Sequence, residues 1–309
     1  MPKIAFLFPG QGSQNPGMGK DIAAAFPVAR EVFAGADSVL GRDISGLCFN
    51  GPAEALKDTR NSQPAIVTVS VALYQVLAGE GIKPDFVAGH SLGEYSALVA
   101  AGAVDFKTAI QLIAYRSRFM AEADPEGQGS MAAVLGVDRM TLESVLTEAS
   151  LLGRVEAANF NCPGQIVISG NKTGLHKAQE LVTAHGGRYM PLAVSGAFHS
   201  SFMQTAAALL HAKLKDVAWN EPQIPLISNV TAAPAGESDL TENLYRQVFS
   251  PVRWEETIRY LFDQGVTVFV EVGPGKVLSG LVKKTLKDVT ILQCEDTASL
   301  QKTLAVLRA

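Results

Sequence analysis

Apolar residues come in short blocks that alternate with longer periodic stretches. Ile4 to Phe8 is a compact apolar run that stops at the turn-rich Pro9-Gly10-Gln11-Gly12, and it predicts a strand. Over 63–78, Ile66, Val69, Leu73, Val76 and Leu77 fall near helical spacing. Pro84 closes that segment, Asp85 to Gly89 reads as a second strand, and helical patterns follow over 92–101 and 105–122. Strands alternating with helices predict α/β layering on a mainly parallel sheet.

The rhythm changes at Gly127-Gln128-Gly129-Ser130. From there the pattern predicts strand 131–136, helix 138–149, strands 153–159 and 165–170, helix 172–185 and strand 187–193. This βαββαβ order is that of a ferredoxin-like unit. It lies in mid-chain, so residues 128–196 read as an insertion into a larger domain made of 1–127 and 197–309. The remainder predicts helix 198–215, strand 225–228, helices 241–248 and 254–264, strand 267–272, helix 276–287, strand 290–294 and a last helix.

Composition narrows the classes. Of 309 residues, 47% are hydrophobic and 18% charged, which argues against a disordered chain. The net charge of −4 makes a nucleic-acid surface unexpected. Cys48, Cys162 and Cys294 form neither a disulfide framework nor a zinc site, so no metal is expected and a reducing compartment fits. No signal-peptide layout precedes the first strand. The uncharged stretch 189–212 is interrupted by Pro191, His199, Ser200, Ser201 and Gln204, which argues against a membrane span. A cytoplasmic location is the expectation.

The strongest chemical signal is Gly89-His90-Ser91-Leu92-Gly93, placed between a strand and a helix. That context is a nucleophile elbow, with small residues on both sides letting neighbouring backbone approach and the serine hydroxyl held above the sheet. The helix amino terminus behind it offers N–H groups to a developing oxyanion. The serine needs a base. Of five histidines, His90 alternates to the other face, and His176, His185 and His211 lie in polar helical faces. His199 sits in the small-residue loop Gly196-Ala197-Phe198-His199-Ser200 and follows the serine in chain order, as the base does in α/β-hydrolases. No acid stands out as a third member, and a carboxylate or a backbone carbonyl could equally fix the imidazole tautomer. Gly10, Gly12, Gly17 and Gly19 match neither GxGxxG nor P-loop spacing.

Pro9-Gly10-Gln11-Gly12-Ser13-Gln14, Gly89 to Glu94 and Gly196 to Ser200, in this order and over this length, resemble the malonyl-CoA:acyl carrier protein transacylase family. The similarity runs from the first strand to Gly273-Pro274-Gly275. It implies an α/β-hydrolase-like domain carrying the ferredoxin-like insertion. It also implies Ser91 as nucleophile, His199 as general base, the backbone N–H groups of Gln11 and Leu92 as oxyanion hole and Arg116 as partner of the malonyl carboxylate. A main-chain carbonyl at Gln247 would orient the histidine. Gln63, Asn159, Asn161 and Phe198 would line the acyl or pantetheine channel, with Phe198 favouring malonyl over branched acyl groups. The implied reaction is ping-pong malonyl transfer from malonyl-CoA to the phosphopantetheine thiol of acyl carrier protein, for fatty acid elongation. No bound cofactor, metal, nucleic acid or membrane is implied, and a monomer is expected. An acidic carrier protein would dock on basic surface, with Lys283, Lys284 and Lys287 on one helix and Lys172, Lys177 and Arg188 in the insertion as candidates. A malonyltransferase serving polyketide synthesis is the alternative, and a serine thioesterase the more distant one.

Overall fold

The apolar run that opens the chain becomes the middle strand of a parallel sheet. The computed structural model describes residues 2–124, 127–194 and 196–308. Strand β1 (Lys3–Phe8) leads into four helices: α1 (Lys20–Ala25), α2 (Pro27–Leu40), α3 (Ile44–Asn50) and α4 (Ala53–Lys57). Hydrophobic spacing did not predict these four. Helices α1, α3 and α4 are too short to display a period, and α2 starts after Phe26, which offers no capping side chain.

Helix α5 (Thr59–Gly79) begins four residues before the expected 63 and carries Pro64 inside it. The carbonyl that Pro64 leaves without its helical N–H, that of Arg60, accepts instead from Arg42 Nη2 at 2.6 Å. This helix is long and apolar enough to cross a membrane, yet it is buried within the protein, packed on α2 and on α7 (Phe106–Glu122). Between α5 and α7 come β2 (Phe86–Gly89) and α6 (Gly93–Ala100).

Next come β3 (Gly129–Leu135), α8 (Arg139–Ala149), β4 (Val155–Cys162), β5 (Gln165–Asn171), α9 (Lys172–Ala184) and β6 (Arg188–Pro191). The predicted βαββαβ order is present, with β6 shorter than the expected 187–193. The expected helix 198–215 is a correction: only α10 (Gln204–Leu214) is α-helical. A 3₁₀ turn (Ser201–Met203) precedes it, and His199 itself is left-handed with φ 57°. The chain closes with β7 (Leu226–Ile227), α11 (Glu237–Gln247), α12 (Trp254–Asp263), β8 (Val266–Val272), α13 (Val277–Thr285), β9 (Thr290–Cys294) and α14 (Thr297–Leu307).

The strands form two sheets. The first is parallel throughout, in the order β7-β2-β1-β8-β9; the second is antiparallel, in the order β4-β5-β3-β6. Alternation along β1 sends Phe6 and Phe8 into the core under α2, α5 and α7, and Ala5 and Leu7 into a second core under α12 and α13. A third core joins the antiparallel sheet to α8 and α9. Strand β4 is irregular where it approaches the parallel sheet. Its register with β5 shifts on either side of Asn159, which pairs with Val167 of β5 and also bridges to Val252 (Phe160 N–H to Val252 O, and Val252 N–H to Ala158 O, both 2.9 Å). That irregularity brings β4 to the carboxyl end of β1 and β2, where the candidate chemistry lies.

Candidate active site

Strand β2 ends at Gly89, in register with Phe8 of β1, and two residues later Ser91 occupies the left-handed region at φ 53°. A non-glycine residue there stores about 1–3 kcal/mol of strain and persists only where its surroundings over-determine it. Here they do. A Cβ at Gly89 would overlap the Gly93 backbone, and one at Gly93 would overlap the Phe8 carbonyl, so both motif glycines are required by close packing. Asn229, just past the neighbouring strand β7, clamps the turn: Ser91 N–H donates to its Oδ1 (2.7 Å) and its Nδ2 donates to Gly89 O (2.6 Å). Nothing in the local sequence around Asn229 announced this role. Past the turn, the N–H groups of Gly93, Glu94 and Tyr95 bond back to the carbonyls of His90, Ser91 and Leu92, and Leu92 N–H is not among those donors.

His199 reaches the serine from an irregular segment. Its Nδ1 lies 2.9 Å from Gln247 O. A carbonyl only accepts, so Nδ1 carries the proton and Nε2 accepts from Ser91 Oγ at 2.8 Å. Gln247 is the last residue of α11, and carbonyls in a final helical turn have no partner within the helix. The histidine's turn is fixed by Ser169 Oγ donating to Phe198 O and by Ser200 Oγ donating to Ala197 O, both at 2.5 Å. Burial, reinforced by the Arg116 charge, pushes His199 down to about 3, so the imidazole is neutral at physiological pH.

Arg116 of α7 is 1% exposed. Its Nη1 donates to Gln63 Oε1 (2.6 Å) and its Nη2 to Gln247 Oε1 and Ser91 Oγ (both 3.1 Å). Its Nε has no partner, and among the described residues it is paired with no carboxylate. A buried cation in that state is costly unless a ligand completes it. Glu94, in the first turn of α6, is equally buried, and its Oε2 accepts from Gln247 Nε2 (2.6 Å) and Asn229 N–H (3.3 Å). Sequence reading passed over Glu94 because it was one letter of the serine motif.

These groups surround a cavity of about 320 Å³. Gln63, Asn159 and Phe198, candidates for the channel, line it together with Gln11, Ser91, Arg116 and His199. Asn161 does not; its Oδ1 accepts from His90 Nε2 (2.9 Å). Thr59 links the helix to the glycine loop, accepting from Gln63 Nε2 (2.8 Å) and donating to Gln11 Oε1 (3.1 Å). The lining holds two cations, buried Arg116 and exposed Lys57, and no carboxylate. The candidate docking lysines separate. Lys283 and Lys287 share an open groove with Lys276, whereas Lys284 donates to Gln165 Oε1 and Lys177 pairs with Glu148 and Glu180.

A serine on a strand-to-helix elbow, a neutral histidine on its hydroxyl and a cavity beside both are the parts of an acyl-transfer centre, and the chain belongs to the family described as acyl transferase domain, whose model matches residues 5–305. Within it, the chain is 48% identical to malonyl CoA-acyl carrier protein transacylase of Bacillus subtilis, over 100% of this chain and 98% of that one. It is 43% identical to the enzyme of the same name from Escherichia coli, covering 98% and 99%. Among solved structures, malonyl CoA-acyl carrier protein transacylase from Clostridium perfringens superposes with a TM-score of 0.96 at 43% identity, covering 99% and 97%. A malonyl-transacylase in complex with its type II PKS acyl-carrier protein superposes with a TM-score of 0.96 at 42% identity, covering 98% and 99%.

Proposed function

We propose that the protein transfers malonyl from malonyl-CoA to the phosphopantetheine thiol of acyl carrier protein through a malonyl-Ser91 ester. The observation that carries this reading is Arg116, a buried guanidinium with no carboxylate of its own, 3.1 Å from the serine hydroxyl. A planar fork can grip a carboxylate through two parallel bonds. An acetyl group would leave it unmet, so selection comes from an unpaired charge as much as from attraction.

In the first half-reaction Ser91 Oγ attacks the thioester carbonyl while His199 Nε2 takes its proton. The resulting oxyanion is received by the N–H groups of Gln11 and Leu92; collapse breaks the C–S bond, and His199 returns the proton to the CoA sulfur. In the second half-reaction His199 deprotonates the carrier-protein thiol, sulfur attacks the ester, and Ser91 leaves with the proton. The carbonyl of Gln247 holds the imidazole in one tautomer throughout. Gln63, Asn159 and Phe198 form the wall along which the acyl chain lies, and Asn161 acts on that wall through His90.

The large α/β-hydrolase-like domain (1–127 and 197–309) supplies the nucleophile, and the ferredoxin-like insertion (128–196) supplies one wall. The product serves fatty acid elongation in the cytoplasm, and the protein acts as a monomer. Lys276, Lys283 and Lys287 offer the acidic carrier a basic surface. Intact-mass analysis after mixing with malonyl-CoA tests the central step. A malonyl adduct is expected that maps to 89–93 and is discharged by added holo-carrier protein. No adduct, or discharge by water at the same rate, would overturn the reading.

A further inference from the structure

We infer that Glu94 is a positioning residue for substrate selection: through the side-chain amide of Gln247 it fixes how Arg116 presents its guanidinium, while leaving that guanidinium free of any protein carboxylate. The inference rests on the reading of Arg116 as the carboxylate holder.

Glu94 is 2% exposed and is ion-paired with no cation among the described residues. Such a group is retained only where donors surround it. Besides the bonds from Gln247 Nε2 and Asn229 N–H, the nearby Ser228 hydroxyl favours its charged form. The consequence lies in the Gln247 amide. Its Nε2 faces Glu94 Oε2 (2.6 Å), which as a carboxylate only accepts, and the main-chain carbonyl of Ser91 (3.0 Å). Its Oε1 is thereby turned to Arg116 Nη2 (3.1 Å). The reversed amide would set oxygen against carboxylate and carbonyl, and N–H against guanidinium, so all three contacts would become repulsive. The anion thus dictates the dipole, and the dipole dictates where the cation points.

A direct Glu94–Arg116 pair would cancel both charges and occupy the fork. With one amide between them, the Glu94 charge still favours the cation on Arg116, and the guanidinium is left with neutral partners and an unpartnered Nε. The Tyr95 ring, 5.8 Å from the guanidinium, likewise brings no carboxylate to it. Three residues past the nucleophile, Glu94 therefore couples the elbow, the end of α11 and the specificity arginine.

The test is steady-state kinetics of the full-length enzyme with holo-carrier protein and either malonyl-CoA or acetyl-CoA. Glu94→Gln keeps the shape but lets the Gln247 amide turn. The expected result is a rise of about tenfold in KM for malonyl-CoA, and a fall of about tenfold in the malonyl-to-acetyl ratio of kcat/KM, the scale of one weakened charge-assisted bond. In an Arg116→Ala background the same change should leave the ratio where Arg116→Ala puts it. Equal losses with both thioesters, or full additivity in the double variant, would overturn the inference and leave Glu94 a merely structural group. If Arg116→Ala lowers the ratio and Glu94→Gln does not, the inference falls and the carboxylate reading stands. If Arg116→Ala itself leaves the ratio unchanged, both fall. Gln247→Leu, which keeps the main-chain carbonyl on His199 and removes the amide, is judged by the same outcomes should Glu94→Gln fail to fold.

Discussion

The two residues that meet over the cavity are both strained, and they are strained in different ways. Ser91 and His199 are two of the four non-glycine residues at positive φ among the described residues. Ser91 sits between consecutive regular elements, wedged by backbone contacts that only glycines allow and clamped on both sides by Asn229. His199 lies outside any helix or strand, and its turn hangs on two serine hydroxyls and one helix-end carbonyl. The elbow is held by the packing of the parallel sheet, so disturbing it disturbs the fold. The histidine turn is held by a few hydrogen bonds, so disturbing it should move the base and little else.

Substitutions can break this contrast. Ser91→Ala removes the nucleophile without touching the clamp; steady-state assay should show a loss of about 10⁴–10⁶-fold at near wild-type Tm. A variant still turning over at wild-type speed would dismantle the mechanism. Asn229→Ala should lower both activity and stability. The Ser91 N–H and the Gly89 carbonyl are left buried and unpaired, costing about 1–3 kcal/mol each, and the displaced hydroxyl should lose on the order of 10²-fold in kcat. Thermal melts beside kinetics check this; an unchanged Tm would show that glycine packing alone holds the elbow.

The same contrast explains what the sequence made legible. Gly89 to Gly93 was readable from its residues because strand, turn and helix are neighbours in the chain, and the elbow is a local device. His199 stood out only weakly among five histidines, and the resemblance raised it, because its partner Gln247 comes from α11, 48 residues away, and Ser169, which holds the adjacent Phe198 carbonyl, comes from β5, 29 residues from Phe198. Asn229 and Glu94 escaped notice for that reason: their roles exist only after α11 and the 228–229 segment meet α6. The alternating elements and the βαββαβ order were legible because each spans at least one full period. Helices α1 to α4 were not, being mostly shorter than the pattern that would betray them.

Ser169→Ala should have a smaller and purer effect. Losing its bond to the Phe198 carbonyl loosens the turn that aims His199, while the elbow and its clamp remain. A fall of about tenfold in kcat is expected, with KM for malonyl-CoA unchanged and a stability loss of about 1 kcal/mol. If the variant instead melted as far below wild type as Asn229→Ala, the histidine turn would be as much a part of the fold as the elbow, and the contrast would vanish.

The smallest expected effect comes from pH. A histidine base at its ordinary value of 6.5 would switch off as the solution is acidified through that point. Here burial first, then the charge of Arg116 and to a lesser degree His90, hold His199 down to about 3, against the Gln247 and Ser250 backbone groups that pull it up. The base should stay neutral and competent, so acylation by acetyl-CoA in a single turnover should change less than about twofold between about pH 8 and about pH 5. Glu94 behaves oppositely. Burial raises it to about 7 despite the donors from Gln247, Asn229 and Ser228 and the charge of Arg116, so it is an anion above that value and neutral below it. Preference for malonyl over acetyl should therefore be fullest on the alkaline side and shrink as pH falls through about 7, while the acetyl rate stays level. Stability gives a second reading of the histidine. Its folded value lies below its unfolded one, so its contribution is present above 6.5 and is lost as pH falls from there toward about 3. An acetyl profile with an acid limb centred at 6.5 would mean that the imidazole titrates as if solvated. The histidine turn would then be open to water, rather than kept closed around the base by its few hydrogen bonds.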